Sequence, residues 1–298
     1  MYRQTATARI SSAPPAVPLR VNDVVTFRLT EGSKAEALEF LANRPLHTVA
    51  LAGFIKDHGI VSPLNRGTFY GCRNRRGELE GVALIGHATL METRTDRALQ
   101  AFAEIARECK STHMIMGEKE RIDEFWSHYR EHGQEMRLAC RELMMELTWP
   151  LQVREGVREL CRATLAHLDL VMPVHAQMAF DESGVNPLET DAEGFRQRYA
   201  RRIDQGRSWV LVEDDKLVFK ADIIAETAEV VYLEGVWVSP EKRGSGYGLR
   251  CMSQLARTLM ADGKSIALFV NDENKEAKNF YQKAGFKPVA CYDTIFLV

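Results

Sequence analysis

Apolar residues along this chain switch between two spacings, and the switches mark its elements. Val25 to Leu29 alternates as a strand does, whereas residues 34–43 and 46–57 repeat apolar positions three and four apart, as helices do. Thr68 to Arg73 and Leu79 to Thr89 read as strands around the turn Asn74-Arg75-Arg76-Gly77. A helix over 96–109, a strand over His113 to Met116, a helix over 119–132 and a strand-rich stretch over 137–149 follow. The order then repeats. Glu159 to Ala163 is a strand, 166–180 and 190–204 are helices, and Ser208 to Val212 and Leu217 to Ile224 flank the turn Glu213-Asp214-Asp215. Strand 229–238, helix 246–261, strand 265–270, helix 274–284 and terminal strands over 286–298 complete it. Pro150 closes the run Leu143 to Trp149, and Gln152 to Gly156 reads as a linker. The pattern predicts an α/β (α+β, mixed-sheet) chain in two units, 21–150 and 157–298, each a twisted mixed sheet flanked by helices. Residues 1–20 carry Arg, Ser, Ala and Pro without an apolar core, so they read as a flexible tail and not as a signal peptide.

Composition narrows the classes. The 298 residues suit about two domains. Lys plus Arg, 39, nearly balances Asp plus Glu, 41, which points away from nucleic acid and from an acidic membrane surface. The arginines Arg198, Arg201 and Arg202 read as a solvated helix face. No apolar stretch reaches the ~18 residues of a membrane span. The six cysteines form no C-x-x-C pair and read as reduced core thiols of a cytoplasmic protein. Neither they nor the eight histidines are spaced like metal ligands.

Candidate chemistry concentrates in residues 232–248. An apolar run ends in a basic turn, closely spaced glycines follow, and a helix begins whose Leu249, Met252, Ala256 and Leu259 share a face. Strand, glycine turn and helix can cradle a diphosphate, because glycines let N–H groups converge and the helix N-terminus is the positive dipole end. Gly263-Lys264-Ser265 precedes a strand and has Thr258 where a Walker A loop needs glycine. A dinucleotide fingerprint gains support from Asp272, which closes the run Ile266 to Val270. It fails on spacing, since Ser239 to Arg243 intervene and the glycines read Gly-x-Gly-x-Gly.

The segment Arg243-Gly244-Ser245-Gly246-Tyr247-Gly248 follows Val238-Ser239-Pro240. Downstream stands Asn274-Lys275-Glu276-Ala277-Lys278-Asn279-Phe280-Tyr281, then Gly285-Phe286. Together these motifs resemble the GNAT superfamily of acyl-CoA-dependent N-acyltransferases, most clearly over 228–290 and faintly back to about residue 157. In that family an Arg/Gln-x-x-Gly-x-Gly/Ala loop binds the diphosphate of coenzyme A. The resemblance implies acetyl-CoA as cosubstrate, held by Val236, Trp237, Val238, the loop Arg243 to Gly248 with Leu249, and by Asn271, Asn274 and Tyr281. It also suggests two GNAT-like domains. The first lacks the loop, because no glycine stands between Gly86 and Gly117, Glu92 to Arg97 occupy its place, and Phe125-Trp126 replaces Phe280-Tyr281.

Acyl transfer to an amine needs a base, a donor for the developing oxyanion and a proton for the leaving thiolate. On strand 229–238 simple alternation puts Tyr232, Glu234, Val236 and Val238 on one face, and Gly235 would ease a bulge or splay, or else marks close packing. Glu234 is the candidate base; a solvated or Arg-paired glutamate is the other reading. Tyr281 is the candidate acid, placed by the resemblance near the coenzyme's sulfur, against a tyrosine simply buried in the core. Asn274 suits a helix N-cap in any case. The segment Phe180 to Asp191, with Asp181 and Glu182, together with Tyr232 and Glu234, is the candidate acceptor site; a solvated loop with Asp191 as N-cap is the alternative. The expected function is transfer of acetyl from acetyl-CoA to a small-molecule or peptide amine without an enzyme-bound intermediate. A longer acyl group and a non-catalytic acyl-CoA sensor are the rival readings, and a homodimer is compatible with the sequence.

Overall fold

The computed structural model describes residues 20–21 and 23–298. The tail expected at 1–20 therefore lies outside the described residues except for Arg20. The first half contains strands β1 (Arg20–Val21), β2 (Val24–Arg28), β3 (Gly67–Arg73), β4 (Leu79–Gly86), β5 (Ala88–Thr93), β6 (Met114–Glu118) and β7 (Met136–Leu147). Its helices are α1 (Lys34–Ala42), α2 (Val49–His58), α3 (Asp96–Arg107) and α4 (Lys119–Tyr129). The second half contains β8 (Cys161–Arg162), β9 (Ser208–Glu213), β10 (Lys216–Glu226), β11 (Val230–Val238), β12 (Ser265–Asn271) and β13 (Lys287–Leu297). Its helices are α5 (Leu168–Ser183), α6 (Pro187–Thr190), α7 (Ala192–Asp204), α8 (Tyr247–Leu259) and α9 (Lys275–Lys283).

All the strands join one mixed sheet, in the order β1-β2-β3-β4-β5-β6-β13-β7-β12-β11-β10-β9-β8. The middle of that order is an exchange. β7, from the first half, pairs antiparallel with β12 (Leu147 opposite Ile266, Glu142 opposite Asn271). β13, from the second half, pairs antiparallel with β6 (Tyr292 opposite Glu118). The two exchanged strands also pair with each other, with Glu142 opposite Tyr292. Each half is thus finished by the last strand of the other.

Each half also contains one parallel pair that opens. β5 and β6 pair from Ala88 and Met114 to Leu90 and Met116. β11 and β12 pair from Val230 and Ser265 to Leu233 and Leu268. Beyond these points the strands part.

Period-two alternation sets the layers. In the second half Val231, Leu233, Ile266 and Leu268 turn to one face, beneath Met252 and Leu255 of α8 and Tyr281 of α9. Val230, Tyr232 and Ala267 turn to the other, where they meet Val49 of α2. The first half covers the second closely there: a side chain at Gly53 would put its Cβ 2.5 Å from that of Ala225. Asp57 and Arg207 form a two-pronged ion pair at 2.5 and 2.7 Å across the same boundary. The expectation that all six cysteines are core thiols fails for Cys161 and Cys291, which are exposed. Cys161 lies on the edge strand β8, and Cys291 on the stretch of β13 before its pairing with β6 begins at Tyr292.

Candidate functional site

β11 does not keep the alternation expected of it. Asp222 of β10 stands opposite Glu234 and Lys220 opposite Trp237, so β11 carries one extra residue in this interval. The bulge centres on Gly235, at φ 60°. Val236 and Val238 consequently pack into the α8–α9 layer with Val231 and Leu233. Tyr232 faces the opposite layer, with Phe269 and Val49. The single face predicted for Tyr232, Glu234, Val236 and Val238 is therefore corrected, because a bulge moves everything beyond it to the other side. Trp237 packs with the α5–α7 core.

The bulge rests on a buried charged group. The Lys220 ammonium donates to the Gly235 carbonyl at 2.9 Å and to Asp222 at 2.6 Å. Tyr199 and Ser208 donate to the other Asp222 oxygen at 2.9 and 2.6 Å. Both Lys220 and Asp222 are fully buried. Burial alone would push the Asp222 carboxyl up, but the Lys220 and Arg202 charges hold it down at about 2. A Cβ at position 235 would lie 2.6 Å from the ammonium, so no other residue fits this bulge without shifting the pair. Arg202, expected on a solvated face, lies 3.7 Å from Asp222 and turns inward.

The glycine turn begins after a short 3-10 turn, Pro240–Lys242. Gly244 and Gly246 stand at φ 74° and 81°, which side chains adopt only at a cost. A Cβ at either would touch nothing within 4 Å, so the glycines supply conformation and not room. Gly248 differs: its Cβ would lie 2.8 Å from Val238, so it lets α8 approach β11. Gly246 is the N-cap of α8 and offers no side chain to the helix end. Among the described residues, the amides of Gly244, Ser245, Gly246 and Tyr247 find no backbone acceptor. Four N–H groups and a helix N-terminus thus face one exposed turn, an arrangement suited to an anion. Lys242 bonds Glu213 at 2.8 Å and Tyr247 donates to Glu213, so the β9–β10 hairpin braces the turn. The Arg243 Nε donates to the Val238 carbonyl at 3.1 Å, and Ser245 to the Lys242 carbonyl at 2.6 Å. Leu249 is half-buried on the first turn of α8.

Tyr281 is 8% exposed and belongs to the cluster against which Val236 and Val238 pack. Burial raises its phenol pKa, so it stays protonated at neutral pH. Asn274 caps α9 by accepting from the Ala277 amide at 3.0 Å, as expected. Asn271 accepts from the Glu273 amide at 2.9 Å and ends β12 beside the opening.

On the other side of the opening stands Glu234, exposed and bonded by the Tyr232 hydroxyl. Two more carboxylates crowd it. Glu182 lies at the end of α5, open to water yet walled in by protein; this crowding, with Glu234 and Glu142 nearby, pushes its carboxyl up to about 8. Glu142 comes from β7; burial and the Glu234 charge raise it, against the 2.6 Å bond it accepts from Thr294. Asp181 accepts from Gln177 one turn back at 2.7 Å. The acceptor segment is also less loop-like than expected: α5 runs through Ser183, α6 follows, and Asp191 caps α7 by accepting from Gly194 at 3.1 Å.

Residues 175–286 match the Acetyltransferase (GNAT) family. These residues are a GNAT domain. A UPF0039 protein of Schizosaccharomyces pombe is 35% identical over 72 residues, 24% of this chain and 48% of the relative, so the chain spans about half the length of that curated relative. Two solved structures share the fold over nearly the whole chain. A tandem GNAT protein from the clavulanic acid biosynthesis pathway matches at TM-score 0.59 and 11% identity, over 91% of this chain and 97% of that one. An acetyltransferase from the GNAT family of Colwellia psychrerythraea matches at 0.54 and 13%, over 92% and 99%.

The GNAT domain thus gathers the glycine turn, Tyr281, Glu234 and Tyr232 around one opening. The sequence reading missed Lys220 and Glu142. A lysine inside the apolar run Leu217 to Ile224 was a legible signal of a buried pair. Glu142 had none, because only the strand exchange brings it near Glu234.

Proposed function

We propose that the chain transfers an acetyl group from acetyl-CoA to a primary amine, and that 21–150 and 157–298 are two GNAT-like domains that have traded their last strands. The observation that carries the reading is the set of unpaired amides at the Gly246 turn, opening onto a splay with a protonated phenol on one side and a carboxylate on the other. The residues present fit coenzyme A: the turn suits a diphosphate, and β11 beyond Leu233 has a backbone edge free of β12. Acetyl-CoA, when bound, supplies the activated acyl group. Glu234 takes a proton from the incoming ammonium, since a protonated amine has no lone pair to attack with. Tyr281 donates toward the leaving sulfur. The Gly235 bulge, held by Lys220, leaves the Val236 amide beside the splay as a donor to the acyl oxygen.

The test is release of free thiol from acetyl-CoA across a panel of amino acids, polyamines, arylalkylamines, aminoglycosides and peptide N-termini. Saturable release with one amine is the expected result. Tight coenzyme binding with no release from any amine would turn the reading into that of a sensor.

A further inference from the structure

The acceptor face around Tyr232 and Glu234 draws on both halves, since Glu142 beside it comes from β7. A cavity of about 260 Å³ extends from it beneath the first half. Tyr232 and Glu234 form one end, and Phe269, Tyr292 and Met144 form the floor. The far wall is first-half chain: Leu90, Met91 and Met116 beside the β5–β6 opening, and Ala50 and Phe54 of α2. At the far end Arg44 bonds Glu92 at 3.3 Å and Glu118 at 2.8 Å, and His47 bonds the Tyr292 hydroxyl at 2.9 Å.

We propose that this shared cavity is the acceptor site, and that it takes a primary amine bearing one positive charge on an apolar body of aromatic bulk. The proposal rests on the acyl-transfer reading above. Size is the first argument. An apolar cavity of ~150 Å³ holds a benzene ring, so this one suits a fused two-ring body with a short amine arm. Wall chemistry is the second. Methionine, leucine and phenylalanine side chains line the middle, and a second charge placed against them would lose its hydration without a partner. Charge distribution is the third. Glu234 lines one end, and its carboxylate attracts an ammonium. The far end is already matched: Arg44 pairs with both carboxylates, burial moves Glu92 toward its neutral form, and burial keeps His47 uncharged near neutral pH. Arg121 and Arg202, also on the lining, are engaged by Asp96 at 2.7 Å and by Asp222 at 3.7 Å. A polyamine therefore finds no second anionic site, and a carboxylate-bearing amine finds no unpaired cation.

The test is calorimetric titration of the full chain with 2-(2-naphthyl)ethylamine, spermidine and 2-naphthylacetate, and separately with acetyl-CoA. The naphthylethylamine is expected to bind at least tenfold more tightly than the other two. Ala50→Trp and Met91→Trp, which fill the first-half wall, should each weaken it at least tenfold and leave acetyl-CoA affinity within twofold. Equal amine affinity in the filled variants, or tighter binding of spermidine, overturns the proposal. Should both variants unfold, an azido-aryl ethylamine photolabel on the wild type decides: labels within 44–54 or 88–93 support the cavity, and labels confined elsewhere overturn it. Failure of acetyl-CoA to bind would sink the acyl-transfer reading, while the amine titration would still report on the cavity.

Discussion

Helices α3 and α8 hold corresponding places in the two halves, and their N-termini differ. α3 starts after residues 94–95, and its N-cap Thr95 accepts from the Ala98 amide at 3.3 Å. α8 starts after residues 239–246, and its N-cap is a glycine in the left-handed region without a side-chain bond. A helix end met by its own side chain has less to offer an anion; an end left open is stabilised by one. The strand openings differ in the same sense. Glu92 and Glu118 beside the first are joined by Arg44. The second has a free strand edge and an unpaired turn. Shared topology therefore does not carry shared helix ends; a few residues leave one N-terminus met by its own side chain and the other open.

The contrast can be broken most sharply at the open end. Gly246→Asp should weaken coenzyme A binding on the order of 100-fold, about 2.7 kcal/mol. The cause is not a clash, since a Cβ there meets nothing; it is the left-handed φ together with a carboxylate facing phosphate. Unchanged affinity by calorimetry would refute the cradle. Next in size, Tyr281→Phe should lower kcat by roughly 10- to 100-fold while coenzyme affinity stays within about twofold. Full-rate turnover would remove the acid assignment.

A smaller effect sharpens the acceptor side. Glu182 is protonated below about pH 8 and gains charge above it, so the KM for a cationic amine should fall from pH 7 to 9. In Glu182→Gln this extra fall should vanish while the KM for acetyl-CoA does not move; parallel profiles would exclude Glu182. The folded form keeps its proton to higher pH than the unfolded one, so any stability from this group is present at low pH and lost as pH rises through about 8. The smallest change belongs to the capped end. Thr95→Ala should cost ~1 kcal/mol of stability and leave coenzyme binding untouched. A loss of affinity there would show that the first half also takes part in gripping the coenzyme.

Most elements were legible because the periods along the chain are strong, and α3, α4, α8 and β9 to β12 fall within a few residues of their predicted spans. The glycine turn and the α9 motif were legible for the same local reason. Three features were not. α5 outran its expected end at residue 180, since Asp181 to Ser183 carry no stop signal before Gly184, the left-handed C-cap. Gly235 marked a place for a bulge or splay, but the change of face beyond it was hidden, because Val236 and Val238 satisfy an apolar face on either side of the sheet. The exchange of β7 and β13 was hidden because strand pairing is non-local; either strand offers a similar apolar edge to β6 or β12. With the exchange went the first-half wall of the cavity and the approach of Glu142 to Glu234.

The crossed ending of the sheet sets a timetable for synthesis. While the ribosome makes residues 150 to 286, the edge of β6 waits without its partner β13, and β7 waits for β12. The earlier half must persist with a raw strand margin until β13 itself has been made. A chaperone or a transient neighbour covering that margin would protect a nascent chain that cannot close its own sheet.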